Sequence, residues 1–152
     1  MATRYPIEGG CNCGEVRYRI AKEPLTLYLC HCHLCQKRTG SAFSMQVVFP
    51  ADAFELVAGE PITRDRILHG GKRNVSLVCP LCLSRISTRR EDSPTVSIRA
   101  GTLDDTSWLK PVAQIWISSA QPWAIVPGIL SFEEHPADFS VLPTAWKSAH
   151  RD

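Results

Sequence analysis

The sequence has little imbalance of charge, no uninterrupted apolar run long enough for a membrane helix, no sustained helical periodicity and no internal repeat. Each absence excludes something. Seventeen Lys plus Arg against fifteen Asp plus Glu leave a formal charge of +2, too little for a field that gathers nucleic acid. The densest basic spots are Lys37-Arg38, Lys72-Arg73 and Arg89-Arg90, and Glu91-Asp92 directly follow the last pair. They read as solvated faces rather than a phosphate track. The opening MATRYPIEGG lacks the apolar core and cleavage site of a secretory signal. Residues 112–132 carry no charge and are about long enough to span a bilayer. Gln114, Ser118, Ser119, Gln121, Pro122, Pro127 and Gly128 interrupt them, which suits strands and turns. The expectation is a protein of the cytoplasm, with neither nucleic acid nor membrane as partner.

What is present has a β texture. Short runs of β-branched and aromatic residues are bounded by Gly, Pro, Asn and Asp: residues 16–20, 45–49, 74–78, 95–99 and 113–117. Brief helical turns are expected at His33–Thr39 and Asp104–Trp108. The fold class expected is mainly β. At 152 residues one domain is the default, with residues 1–132 as its body and 133–152, polar and holding two prolines, as a loosely attached tail.

Seven cysteines stand out against this ordinary background. A chain of this size buries enough surface to fold without disulfide staples, and an odd number cannot all pair. They fall into three clusters: Cys11 and Cys13; Cys30, Cys32 and Cys35; Cys79 and Cys82. A C-x-C in extended chain puts both sulfurs on one face, and a C-x-x-C in a tight turn brings both to one point, the spacing zinc sites use. Two partitions follow. Cys11, Cys13, Cys79 and Cys82 can close a four-thiolate site, leaving Cys30, Cys32 and Cys35 as a second site with an open position. Alternatively, Cys32/Cys35 and Cys79/Cys82 form a zinc ribbon and leave Cys11, Cys13 and Cys30 over. The first uses every thiol and matches the division between closed structural and open catalytic zinc sites, so it is favoured.

With these clusters in view, the chain resembles the glutathione-dependent formaldehyde-activating family. The likeness rests on residues 9–18 around Gly9-Gly10-Cys11-Asn12-Cys13-Gly14, on residues 30–43 beginning Cys30-His31-Cys32-His33-Leu34-Cys35, and on Cys79-Pro80-Leu81-Cys82. Residues 101–105 and the late Pro122-Trp123 complete it. The resemblance implies small coiled β-sheets around zinc, of the Mss4-like type, within residues 1–132. It implies two zinc ions per chain: a structural one on Cys11, Cys13, Cys79 and Cys82, and a catalytic one on Cys30, Cys32 and Cys35. The activity implied is that of a carbon–sulfur lyase or synthase adding glutathione, or a related thiol, to formaldehyde or another small aldehyde. The alternative is a non-catalytic zinc module for interaction, or a zinc-thiolate sensor. One position departs from the family. Leu83 stands where a glycine usually follows the C-x-x-C, and a left-handed backbone there costs a leucine roughly 1–2 kcal/mol. The knuckle is therefore expected to turn differently.

The remaining candidates are less specific. Alternation along an extended segment turns His31 and His33 away from the cysteine face, which makes them surface or supporting histidines. The other role open to them is proton transfer or support of the zinc ligands. His69 reads as an exposed loop residue. Lys37, Arg38, Lys72 and Arg73 can clamp carboxylates of a thiol such as glutathione, though each taken singly reads as solvated charge. Trp116 and Trp123 are expected in the core, and Cys32, between two histidines, as the most exchangeable ligand.

Overall fold

The computed structural model describes residues 4–67 and 70–151; His69 lies outside the described residues. In chain order the strands are β1 Ile7–Gly10, β2 Arg17–Ile20, β3 Thr26–Cys30, β4 Ser44–Pro50, β5 Phe54–Ala58, β6 Ile62–Ile67, β7 Arg73–Val78, β8 Arg85–Arg90, β9 Thr95–Arg99, β10 Ala113–Ile115 and β11 Leu130–Ser131. Among the described residues two short α-helices accompany them, α1 His33–Thr39 and α2 Val141–Ala149. The fold is thus mixed α/β, with most of its regular structure in sheets. Packing divides the chain into two compact units, one running to Pro24 and resuming over Val48–Trp108, the other built from Leu25–Val47 and the chain from Leu109.

In the first unit β1, β2 and β5 form an antiparallel sheet. Side chains alternate across a strand, and Tyr18 and Ile20, two apart on β2, are both fully buried. The Tyr18 hydroxyl lies 2.8 Å from Thr102 Oγ1, and burial pushes its pKa up to about 12. Gly9 bridges to Leu103 across the same seam, and Arg17 pairs through both guanidinium nitrogens with Asp104. Residues 101–105 therefore hold β1 and β2 in place. They form no helix at 104–108, because Asp104 is engaged by Arg17 and its own N–H donates to Glu8 O at 3.0 Å. Strands β6 to β9 make an antiparallel meander whose apolar face includes Ile86, Val96 and Ile98.

In the second unit β10 lies between β3 and β11, parallel to both. Strand β3 is buried on both faces, with Leu27, Leu29 and Cys30 at 7% exposure or less, as the centre of a covered sheet requires. Strand β10 stops two residues short of the expected 117 because Trp116 adopts a left-handed backbone, φ 60°, and a short 3-10 turn follows. The polar C-terminal segment is not a loose tail at its end. Leu142 and Trp146, one helical turn apart on α2, are buried, and Thr26 Oγ1 on β3 donates to Leu142 O at 3.1 Å. Pro143 falls in the first turn of this helix, where its missing N–H costs nothing.

Candidate metal centres

The seven cysteines gather into two groups. In the first unit the sulfurs of Cys11, Cys13, Cys79 and Cys82 lie within 4.8 Å of one another, and in the second unit so do those of Cys30, Cys32 and Cys35. Cys32 and Cys35 share no group with Cys79 and Cys82, so the ribbon pairing does not occur.

The four-cysteine group is assembled from two knuckles. In the first, Cys11 N–H donates to Val16 O at 3.0 Å, Gly14 turns with φ 84°, and Val16 N–H donates to Cys11 Sγ at 3.2 Å. A Cβ on Gly9 would sit 2.5 Å from Thr102 O and against the Tyr18 ring, so the glycine before this knuckle is a close-approach residue. In the second, Leu83 N–H donates to Cys79 O at 3.0 Å and Cys79 N–H to Ser84 O at 2.9 Å. Leu83 takes the left-handed conformation after all, at φ 64°. The expectation that the knuckle would turn differently is corrected: the hydrogen-bonded turn dictates the backbone, and the strain is borne by a side chain left 68% exposed. Ser84 Oγ links the two knuckles, accepting from Asn12 N at 3.1 Å and lying 3.2 Å from Cys82 Sγ.

Zinc–sulfur bonds of about 2.3 Å in a tetrahedron place the sulfurs about 3.8 Å apart. Cys11 and Cys13 are separated by 3.5 Å and Cys13 and Cys79 by 3.7 Å. The proton chemistry agrees with this fit. Hydrogen bonds from the Ser84 hydroxyl and backbone hold Cys82 down to about 5. Cys13 receives a lowering hydrogen bond from the Glu15 backbone, yet the adjacent Cys11 and the other sulfurs push it up to about 12. Four thiolates cannot be ionised together at this separation without a cation among them. The donor set fits a divalent, thiophilic metal.

The three-cysteine group sits where β3 runs into α1. Cys30 ends the strand. Cys32 is the N-cap of α1, its sulfur accepting from Cys35 N–H at 3.4 Å, and Gly40 closes the helix in the left-handed conformation. Helix α1 spans the residues expected of it. Cys30 is buried, Cys32 and Cys35 half-buried. The Cys35 sulfur beside it, then burial, push the Cys30 thiol far up; a cation at the site would oppose this by stabilising the thiolates.

His33 is exposed, as expected. His31 is not a surface residue: it is fully buried, its ring edge against Phe43 with centroids 5.5 Å apart. Its ring Nε2 lies 3.1 Å from Gln114 Oε1, its N–H donates to Ile115 O at 3.0 Å, and its carbonyl accepts from Gln36 Nε2 at 2.8 Å. Gln36 also reaches Ser119 O and accepts from Gln121 Nε2, and Gln121 Oε1 accepts from the Trp123 indole. A cavity of about 480 Å³ opens along this chain of amides, lined in part by Gln36, Lys37, Ser41, Gln121 and Trp123. Trp123 is 77% exposed, a correction to its expected place in the core: its indole N–H is fixed to Gln121 and its ring forms a wall. Lys72 and Arg73 are engaged in ion pairs with Asp92, Asp65 and Glu91. Sequence reasoning missed Gln36, Gln114 and Ser84. Glutamine and serine carry no spacing signal, and Gln114 registered only as a break in an apolar run.

A sheet-rich protein with two cysteine groups, each able to hold a metal ion, is what the fold and sites define. Residues 6–119 match the family model described as glutathione-dependent formaldehyde-activating enzyme, and the chain belongs to that family. A solved structure of a Rhodobacter sphaeroides protein is similar in fold at a TM-score of 0.52, with 15% identity over 83% of this chain and 99% of that one. No curated protein matches. Among the described residues no helix is long and apolar enough to cross a membrane.

Proposed function

We propose that the chain is a zinc enzyme of the carbon–sulfur lyase or synthase type, joining glutathione or a related thiol to formaldehyde or another small aldehyde. The observation that carries this reading is the three-cysteine group: three sulfurs converging on one point leave a tetrahedral ion one position for a substrate thiol. We take Cys11, Cys13, Cys79 and Cys82 as the structural ligands, Cys30, Cys32 and Cys35 as the catalytic ones, and the sheets around them as Mss4-like. Family membership supports the choice of thiol and aldehyde.

Zinc at Cys30, Cys32 and Cys35 would supply positive charge that favours the thiolate form of an incoming thiol at neutral pH. The chain's own part is placement. The strand end fixes Cys30, the helix cap fixes Cys32 and Cys35, and the cavity beside Gln36 offers room for the body of the thiol. The thiol sulfur forms a bond to the carbonyl carbon, the carbon–oxygen π bond breaks, and the proton given up by the thiol ends on the oxygen as an S-hydroxymethyl product. Because this addition also proceeds unaided, the protein contributes proximity and thiolate fraction.

The test is NMR exchange measurement of glutathione and formaldehyde with their adduct at equilibrium, with and without catalytic amounts of the zinc-loaded protein. Faster exchange that disappears in Cys32→Ser is expected. Exchange no faster than buffer, across several aldehydes, sinks the proposal.

A further inference from the structure

We infer that Gln114 is a positioning residue for the three-cysteine centre, acting through His31; the inference rests on the metal reading given above. A primary amide fully buried within a sheet is costly unless every polar atom is satisfied. Gln114 is fully buried on β10, and its amide makes four hydrogen bonds. Nε2 donates to Val126 O at 2.7 Å and to Ser131 Oγ at 2.8 Å; Oε1 accepts from Val126 N at 3.1 Å and meets His31 Nε2 at 3.1 Å.

These partners leave one assignment of protons. The Val126 carbonyl can only accept and its N–H can only donate, which fixes the two ends of the amide. Ser131 Oγ gives its own hydrogen to Ile129 O at 3.0 Å, so it is free to accept from Gln114. Oxygen therefore faces His31, and His31 must carry its proton on Nε2. His31 Nδ1 is buried without a partner, so the contact to Gln114 is the one hydrogen bond the ring makes.

The consequence falls on the cysteines. His31 separates Cys30 from Cys32, and every polar atom it owns except Nδ1 is tied down: ring to Gln114, N–H to Ile115, carbonyl to Gln36. Rotation of this residue would turn the two flanking sulfurs apart, because adjacent residues share one backbone. Gln114 thus sets the angle between Cys30 and Cys32 without touching either. Hydrogen bonds made directly to metal ligands commonly change affinity by about 10–100-fold; this one acts one residue further out, through His31, so about tenfold is expected.

The test uses the full chain loaded with Co(II), whose thiolate charge-transfer and d–d bands report each centre, in wild type, Gln114→Leu and Gln114→Glu. Wild type should fill two centres. Gln114→Leu should weaken the three-cysteine centre by about tenfold and shift its d–d bands, leaving the four-cysteine centre within about twofold. Gln114→Glu, which retains an acceptor for His31 but turns a second oxygen toward Val126 O, should recover only part of the loss. Equal weakening of both centres would mean general destabilisation and would overturn the role. So would two unchanged centres. A wild type that fills only the four-cysteine centre removes the metal reading itself, a distinguishable failure. Independently of any variant, ring ¹⁵N shifts of the metal-loaded wild type should show His31 protonated at Nε2, and an Nδ1-protonated ring would refute the proton assignment.

Discussion

Leu83→Gly should stabilise the protein, against the usual direction for introducing glycine. At φ 64° the leucine bears a left-handed penalty of about 1–2 kcal/mol. Its side chain is 68% exposed, so its removal forfeits little packing. Glycine returns about 0.5–1 kcal/mol of the gain through its freer unfolded chain. The net spans about 0–1.5 kcal/mol with roughly 0.5–1 at its centre, and at about 2–4 °C per kcal/mol for a chain of this length the central range raises the melting temperature by about 1–4 °C. Leu83→Ala is the control, because alanine keeps the Cβ that causes the strain. The assay is a thermal melt of both variants and wild type at matched zinc content. In zinc-competition titrations the same energy should appear as an affinity gain of about two- to fivefold, if the unstrained turn favours the ligated state. Leu83→Gly melting at or below Leu83→Ala would refute the argument that the backbone stores strain here.

Two further outcomes are expected. Gly9→Ala would drive a Cβ to 2.5 Å from Thr102 O, an overpacking cost of about 1–3 kcal/mol, so its melting point should fall by about 2–12 °C; an unchanged melt would show the seam to be loose. Cys79→Ser, or stripping with a strong chelator, should lower the melting point far more than Cys32→Ser, since metal binding energy at a closed structural site counts as folding energy. Equal losses for the two serine variants would contradict that division.

The sequence made the cysteine groups legible because thiol spacing is a local property: two knuckles and a cap each bring their sulfurs together within a few residues. Helix α1 was expected over the residues it spans, His33–Thr39, while its Cys32 cap and its Gly40 stop emerge only in the structure. What escaped depended on partners distant in sequence. His31 alternates as a surface residue would, but Gln114, 83 residues away, supplies what makes burial of its ring tolerable. Trp123 looks like core by composition, yet the hydrogen bond to Gln121 fixes it at the surface. Helix α2 did carry a signal, Leu142 and Trp146 at helical spacing, which polar neighbours and two nearby prolines masked. Leu83 shows that a hydrogen-bonded turn can impose a backbone that the residue itself disfavours.

The two cysteine groups also differ as knots in a polymer. A cation on the four-cysteine group ties residues 66 apart, Cys13 to Cys79, whereas one on Cys30, Cys32 and Cys35 ties residues that the chain already keeps within five of one another. Closing the longer loop removes about 2 kcal/mol more entropy from the unfolded chain than closing the shorter. An ion lost from the long tie frees a large stretch of chain to wander. One lost from the short tie frees almost nothing, so an ion leaving the second centre would change the closure entropy of the chain very little.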